Sequence, residues 1–222
     1  MSKATTTELL LVRHGATCAN EQIPPLLQGY AVDHPLSALG RAQAAEVSAL
    51  LAEFAIDAVY SSEMARAQET ARAIAAPHQL AVGTKAGLHE IDVGRWEGMS
   101  WADIEARDSD ALHEFRREDG DVAYLGGESF GDVWSRVAPV LAELHADHAG
   151  QRIVLVAHKG VNRAVLASLL GLPLSRAKCI AQENCAANVI ELTSGGGNVT
   201  TMNSTFHLAG VVAKRMGASV LA

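Results

Sequence analysis

The sequence predicts an α/β fold built on a parallel sheet, and three observations carry that expectation. Short apolar, strand-like runs alternate with segments whose apolar residues recur at helical spacing. Two of the runs, LLLV before Arg13-His14-Gly15 and IVLVA before His158-Lys159-Gly160, deliver a histidine into a glycine turn. A chain of 222 residues, 49% of them hydrophobic, is long enough to bury one sizeable core, so residues 1–222 are expected to form a single domain.

The elements follow in order. Leu9 to Val12 reads as the first strand, and the long stretch from Gly15 to Leu36 reads as a binding loop, because loops of that length usually carry function. Ser37 is placed to cap a helix whose apolar stripe is Val47, Leu50, Leu51 and Phe54. Asp57 to Ser61 returns as a strand. Ser61-Ser62-Glu63 then opens a second helix with hydroxyl caps, burying Met64, Ala67, Ala71 and Ile74 and setting Arg66 in the first turn, while Arg72 faces water. Leu80 to Thr84 is a third strand. Residues 88–98 fit neither periodicity and read as a structured loop dense in polar groups. Trp101 to Glu118 reads as one or two charged helices forming a cap, followed by a long helix from Phe130 to Ala149. Arg152 to Ala157 is the central strand, Val161 to Leu170 an almost wholly apolar helix, and a hairpin closes the pattern: Asn188 to Leu192, a Gly195-Gly196-Gly197 turn, and Val199 to Asn203.

Composition narrows the function. Eighteen basic against 25 acidic residues leave a net charge of −7, no footprint for nucleic acid or an anionic membrane, so any basic site must be local and sized for a small anion. Cys18, Cys179 and Cys185 lack metal or dithiol spacing and read as free thiols in a reducing cytoplasm. MSKATTTE is too polar for a signal peptide, and the longest apolar stretch, Leu166 to Leu174, is too short for a bilayer, so the expectation is a cytoplasmic protein with no membrane partner.

The carboxyl ends of neighbouring parallel strands form one crevice, and ligands of such folds bind there. That logic brings His14 and His158 together, and Arg66, just past another strand end, can face the same place. Two arginines, counting Arg13, and two histidines suit a compact dianion, with phosphate the natural occupant. No GxxxxGK[ST], GxGxxG or HExxH pattern is present, which points to a route without a metal or organic cofactor. A neutral histidine can attack phosphorus, and an acid must protonate the leaving oxygen. The 88–98 loop supplies the candidates: Glu90, in compact apolar-flanked surroundings, with Asp92 and Glu97 as alternatives.

Together these residues resemble the histidine phosphatase superfamily, also called the phosphoglycerate mutase-like family, from Leu10 to about Leu208. The motifs are Arg13-His14-Gly15-Ala16-Thr17 with Asn20, Gln28-Gly29, Leu36-Ser37 with Gly40 and Gln43-Ala44, and Tyr60-Ser61-Ser62 with Arg66-Ala67 and Thr70. Leu88, Glu90, Gly94, Trp96-Glu97-Gly98, Gly127-Glu128-Ser129, His158, Asn203 and His207-Leu208 complete them. The resemblance implies a three-layer α/β/α sandwich with a mixed, mostly parallel sheet and a small helical cap inserted at about 99–128. It also implies roles: His14 as the transient phosphohistidine; Arg13, Arg66 and His158 as the phosphate pocket; Glu90 as the proton donor; Asn20, Gln28 and Gly29 near the phosphate or the rest of the substrate. Many members carry a second glycine after the second histidine, where this chain has Lys159, either a further anion contact or a solvated side chain.

The segment His89 to Gly98 and the NSTFHL tail resemble the phosphatase branch, which implies a metal-independent phosphomonoesterase acting on a small phosphorylated metabolite. The alternatives are a cofactor-dependent mutase and a non-catalytic phospho-ligand-binding protein. Specificity is expected from the cap with Gln28, Lys159 and His207, and the terminal hairpin with the Val211 to Ala222 tail offers an edge for a homodimer.

Overall fold

A computed structural model describes residues 6–117 and 120–211. Its centre is a six-stranded mixed sheet in the order β3-β2-β4-β1-β5-β6. These strands are β1 (Thr7–Arg13), β2 (Ala58–Ser61), β3 (Val82–Thr84), β4 (Arg152–Ala157), β5 (Ala187–Thr193) and β6 (Gly196–Ser204). β1 through β4 pair in parallel, whereas β5 lies antiparallel to β1 and to β6. The mixed sheet is the one the family resemblance implied.

Alternation along the inner strands divides the core in two, as a period of two residues requires. Leu9, Leu11, Ile153, Leu155 and Ala157 face α6 (Phe130–Asp147) and α7 (Lys159–Leu169). Leu10, Val12, Val154 and Val156 face α2 (Ala38–Leu51) and α3 (Ala65–Ala75). Three layers result, helices on both faces of the sheet.

Local signals placed the starts of α2, of the helix at Trp101 and of α6. Ser37 accepts the Gly40 amide at 3.0 Å, and the Ser129 hydroxyl accepts from Asp132, whose carboxylate answers in a reciprocal box. Several expectations need correction. The Gly15 to Leu36 stretch is not wholly irregular, since Cys18–Glu21 forms a one-turn helix, α1. Helix α2 ends at Leu51, leaving Leu50 and Phe54 exposed, because Phe54 turns aside to lie beneath the Arg152 guanidinium. No serine accepts from the first turn of α3: Asp33, from the long loop, accepts the Ala65 amide at 3.0 and 2.9 Å, while the Ser62 hydroxyl accepts the amide of the N-cap residue Met64 at 3.2 Å and meets His158. The expected buried stripe of α3, Met64, Ala67, Ala71 and Ile74, is in place, and Arg72 is exposed.

The 101–116 segment forms two helices, α4 (Trp101–Arg107) and α5 (Ser109–Arg116). Ile104, Leu112 and Phe115 are buried beneath them with Trp96, which meets Phe115 and Tyr124 edge-on at 5.5 and 5.9 Å between centroids. Among the described residues, no helix is long and apolar enough to cross a membrane. Of the Val211 to Ala222 tail, everything beyond residue 211 lies outside the described residues.

Candidate active site

Register explains why the two histidines meet. Arg13 pairs with Ala157 across β1 and β4, so the next residue on each strand, His14 and His158, leaves the sheet at the same edge. Their ring centroids are 5.2 Å apart. Ser61 pairs with Val156 on the other side of β4, so Ser62 arrives beside them.

His14 is almost fully buried and its Nδ1 lies 2.7 Å from the Gly15 carbonyl. A carbonyl only accepts, so Nδ1 carries the proton and Nε2 holds the lone pair. Burial, then the charges of Arg66 and Arg13, lower its pKa well below the ordinary histidine value, which keeps the ring neutral. Close backbone approach holds this turn: a methyl group on Gly15 would lie 2.4 Å from the Gly40 carbonyl oxygen. The Gly15 amide donates to Thr70 Oγ1 at 3.1 Å.

His158 is the N-cap residue of α7 and is fully buried. Its Nε2 lies 2.6 Å from Ser62 Oγ, and its Nδ1 has no partner among the described residues. Burial, Arg66, His14 and Arg13 together hold its pKa well below the ordinary value.

Arg66 is inaccessible. Its NH1 donates to the Val32 carbonyl at 3.0 Å and to Asp33 at 3.3 Å, and its NH2 to the Gly29 carbonyl at 3.1 Å. Gly29 thus braces Arg66 from the long loop and does not line the cleft; its own amide is held by Glu97 at 2.7 Å. Arg13 donates to the Gln182 carbonyl at 2.7 Å, and burial lowers its pKa to about 10 against the raising influence of Glu90 and Glu183.

A cleft of about 170 Å³ opens at this edge. Arg13, His14, Asn20, Gln28, Glu90 and Lys159 line it, whereas the fully buried Arg66 and His158 are not among its lining residues, His158 lying against the His14 ring. Of the three acidic candidates only Glu90 reaches the cleft. Its Oε1 accepts the amides of Ile91 at 2.8 Å and Gly160 at 2.9 Å. Glu97 instead braces Gly29, and the Asp92 carboxylate accepts the Gly94 amide at 2.8 Å. The Glu90 loop is itself pinned by Arg136, whose guanidinium grips Glu128 at 2.8 and 2.9 Å and donates to the carbonyls of Gly87 and Glu90. Gln28 receives the Thr17 hydroxyl at 2.6 Å, and Asn184 ties the Asn20 side chain to the His14 carbonyl. Trp101, Tyr124 and Phe130 form an aromatic wall.

Sequence reasoning gave Ser62 only as a helix cap and a motif residue, not as the partner of His158, and passed over Arg163. Ser62 was legible as the residue just past a strand end, and Arg163, which lines the cleft, stands one helical turn after Lys159. His207 lies away from the cleft, its Nε2 3.0 Å from the Cys185 carbonyl, because the end of β6 turns it under α2.

Comparison with known proteins agrees with this geometry. Residues 9–205 match the model of the histidine phosphatase superfamily, branch 1. The chain is 32% identical over 203 residues to phosphoserine phosphatase 1 of Hydrogenobacter thermophilus, covering 90% of this chain and 94% of that protein. It is 36% identical over 175 residues to glucosyl-3-phosphoglycerate phosphatase of Mycobacterium tuberculosis, covering 75% and 77%. A solved mycobacterial glucosyl-3-phosphoglycerate phosphatase superposes with a TM-score of 0.78 at 30% identity, covering 89% of this chain and 99% of that one. A chain with these motifs, this sheet order and two histidines at one strand edge belongs to the histidine phosphatase superfamily.

Proposed function

We propose that the protein is a phosphoric monoester hydrolase that acts on a small phosphorylated metabolite through a phosphohistidine on His14. One observation carries the reading: Nδ1 of His14 is committed to a backbone carbonyl, so a neutral ring at the cleft offers its Nε2 lone pair. The family relatives, themselves phosphatases of small metabolites, support it.

In the first step Nε2 attacks phosphorus, the ester P–O bond breaks, and Glu90 gives its proton to the departing oxygen. Arg13 and Arg66 balance the phosphoryl charge, and the free Nδ1 of His158 is a donor for a phosphoryl oxygen when Ser62 hydrogen-bonds its Nε2. In the second step Glu90 takes a proton from water, the resulting hydroxide displaces His14 from phosphorus, and phosphate leaves with the enzyme restored. The charge stabilisation comes from guanidinium groups, so the route calls on no metal. Asn20 and Gln28 border the substrate, and Trp101, Tyr124 and Phe130 serve as its aromatic roof within one domain. The free cysteines suit the cytoplasm, and the outer edge of β6 is the place for a second copy to pair.

The test is hydrolysis of p-nitrophenyl phosphate in excess chelator by the protein and by His14→Ala, with acid-labile phosphoprotein trapped from the former. Chelator-resistant turnover that disappears in the variant is expected. Turnover that survives in His14→Ala would overturn the reading. So would phosphate binding without hydrolysis of any ester, with a bisphosphate primer then separating a mutase from a binding protein.

A further inference from the structure

The cleft holds a second group of cations that the two-step chemistry leaves unused. Lys159 and Arg163 stand one turn apart on the same face of α7, and both line the cleft beside Arg13 and Tyr124. Both are half-buried. Among the described residues, Lys159 Nζ donates to nothing, and Arg163 makes a single bond, from Nε to the Ile180 carbonyl at 2.7 Å, so its terminal nitrogens are uncommitted. Among the described residues neither forms an ion pair, Glu90 and Glu183 acting on both only at longer range; half-buried cations so loosely matched are costly, and here the protein holds two in one place while carrying a net charge of −7.

Electrostatics separates this group from the phosphoryl position. The cations that act on His14 and His158 are chiefly Arg66 and Arg13. Burial, then the charges of Arg163 and Arg13, lower the Lys159 pKa to about 8 against the raising influence of Glu183 and Glu90. Arg13 is the member common to both, and Lys159 and Arg163 share the cleft with it and with Trp101, Tyr124 and Phe130 of the aromatic wall.

We propose that Lys159 and Arg163 bind a carboxylate of the substrate, which makes the preferred substrate a phosphomonoester of a short-chain hydroxy or amino acid. The phosphatase reading enters only in placing the phosphoryl group at His14. A planar guanidinium matches a carboxylate, and the neighbouring ammonium adds a point charge. A cleft of about 170 Å³ suits a phosphate joined to a short acid better than a bisphosphorylated sugar.

Two phosphonates that cannot be hydrolysed test this by calorimetry: 2-amino-4-phosphonobutyrate and 3-aminopropylphosphonate, which is the same chain without the carboxylate. The wild-type protein is expected to bind the first at least about tenfold tighter. In Lys159→Met/Arg163→Met the ratio falls to within about twofold while affinity for 3-aminopropylphosphonate holds. Lys159→Met alone, which removes no hydrogen bond seen in the protein, loses about threefold of the ratio and carries the test should the double variant fail to fold. A ratio near one in the wild type, or one that survives in the variants, overturns the proposal, as does an equal loss for both ligands. Turnover of p-nitrophenyl phosphate, run in parallel, reports on the phosphatase reading separately, because the binding ratio needs no catalysis.

Discussion

The Glu90 carboxylate accepts the amide of Gly160 at 2.9 Å, across 70 residues of chain, and so ties the acid of the 88–98 loop to the first turn of the helix that His158 caps. A methyl group on Gly160 would lie 2.6 Å from that same carboxylate oxygen. Gly160→Ala is therefore expected to push Glu90 out of place with the fold intact. The loss in kcat is expected at about 100-fold or more on an alkyl phosphate, the scale of a positioned acid. Steady-state kinetics with a circular dichroism control checks it; a variant with near-normal kcat would separate Glu90 placement from this contact.

Leaving-group dependence isolates the proton donor. Glu90→Gln is expected to slow alkyl phosphate hydrolysis by about 100- to 10,000-fold. Formation of the phosphoenzyme from p-nitrophenyl phosphate suffers far less, since p-nitrophenolate departs without a proton. A stopped-flow burst of p-nitrophenolate followed by slow turnover is the expected trace. Equal losses in the burst and on the alkyl ester would assign Glu90 another role.

The histidine pair makes stability depend on pH. Burial and the adjacent arginines depress the pKa values of His14 and His158 in the folded protein, while the unfolded chain protonates them near about 6.5. Below that value the unfolded state binds more protons than the folded one, so stability falls on acidification, by up to about 1.4 kcal/mol per pH unit for each histidine. Urea unfolding at pH 7 and pH 5 measures the slope, and His158→Gln should reduce it.

Arg136 holds Glu128 and the two carbonyls of the acid loop. Burial alone raises the Glu128 pKa, yet the Arg136 bonds and the Asp92 amide outweigh it and hold the carboxyl below its usual value. Arg136→Met is expected to cost about 1–3 kcal/mol, since the pair is only partly buried and water can reach the Glu128 left behind. Because the acid loop is released, alkyl phosphate turnover should suffer more than p-nitrophenyl phosphate turnover, which a purely structural loss would not produce.

At the His14 turn, Gly40→Ala would set a methyl group 2.0 Å from the Ala16 carbonyl oxygen. Backbone on both sides leaves no flexible neighbour to yield, so a loss of about 1–3 kcal/mol is expected by thermal unfolding. The exposed Arg72→Ala serves as a control within about 0.5 kcal/mol.

Much of this protein was legible in its sequence, because the signals involved are local. The strand runs, the serine caps at Ser37 and Ser129, the buried stripe of α3, and the two histidines at strand ends all follow from short-range period and hydrogen bonding. The sheet edge then brought His14 and His158 together by topology alone. Contacts between distant segments were decided only in three dimensions. Asp33 caps α3 from a loop, Gly29 braces Arg66 instead of meeting the cleft, Gly160 selects Glu90 over Asp92 and Glu97, and the turn of α7 aims Lys159 and Arg163 at one face. Side-chain direction and long-range hydrogen bonds depend on how layers pack, and packing depends on the whole chain at once, which no local pattern encodes.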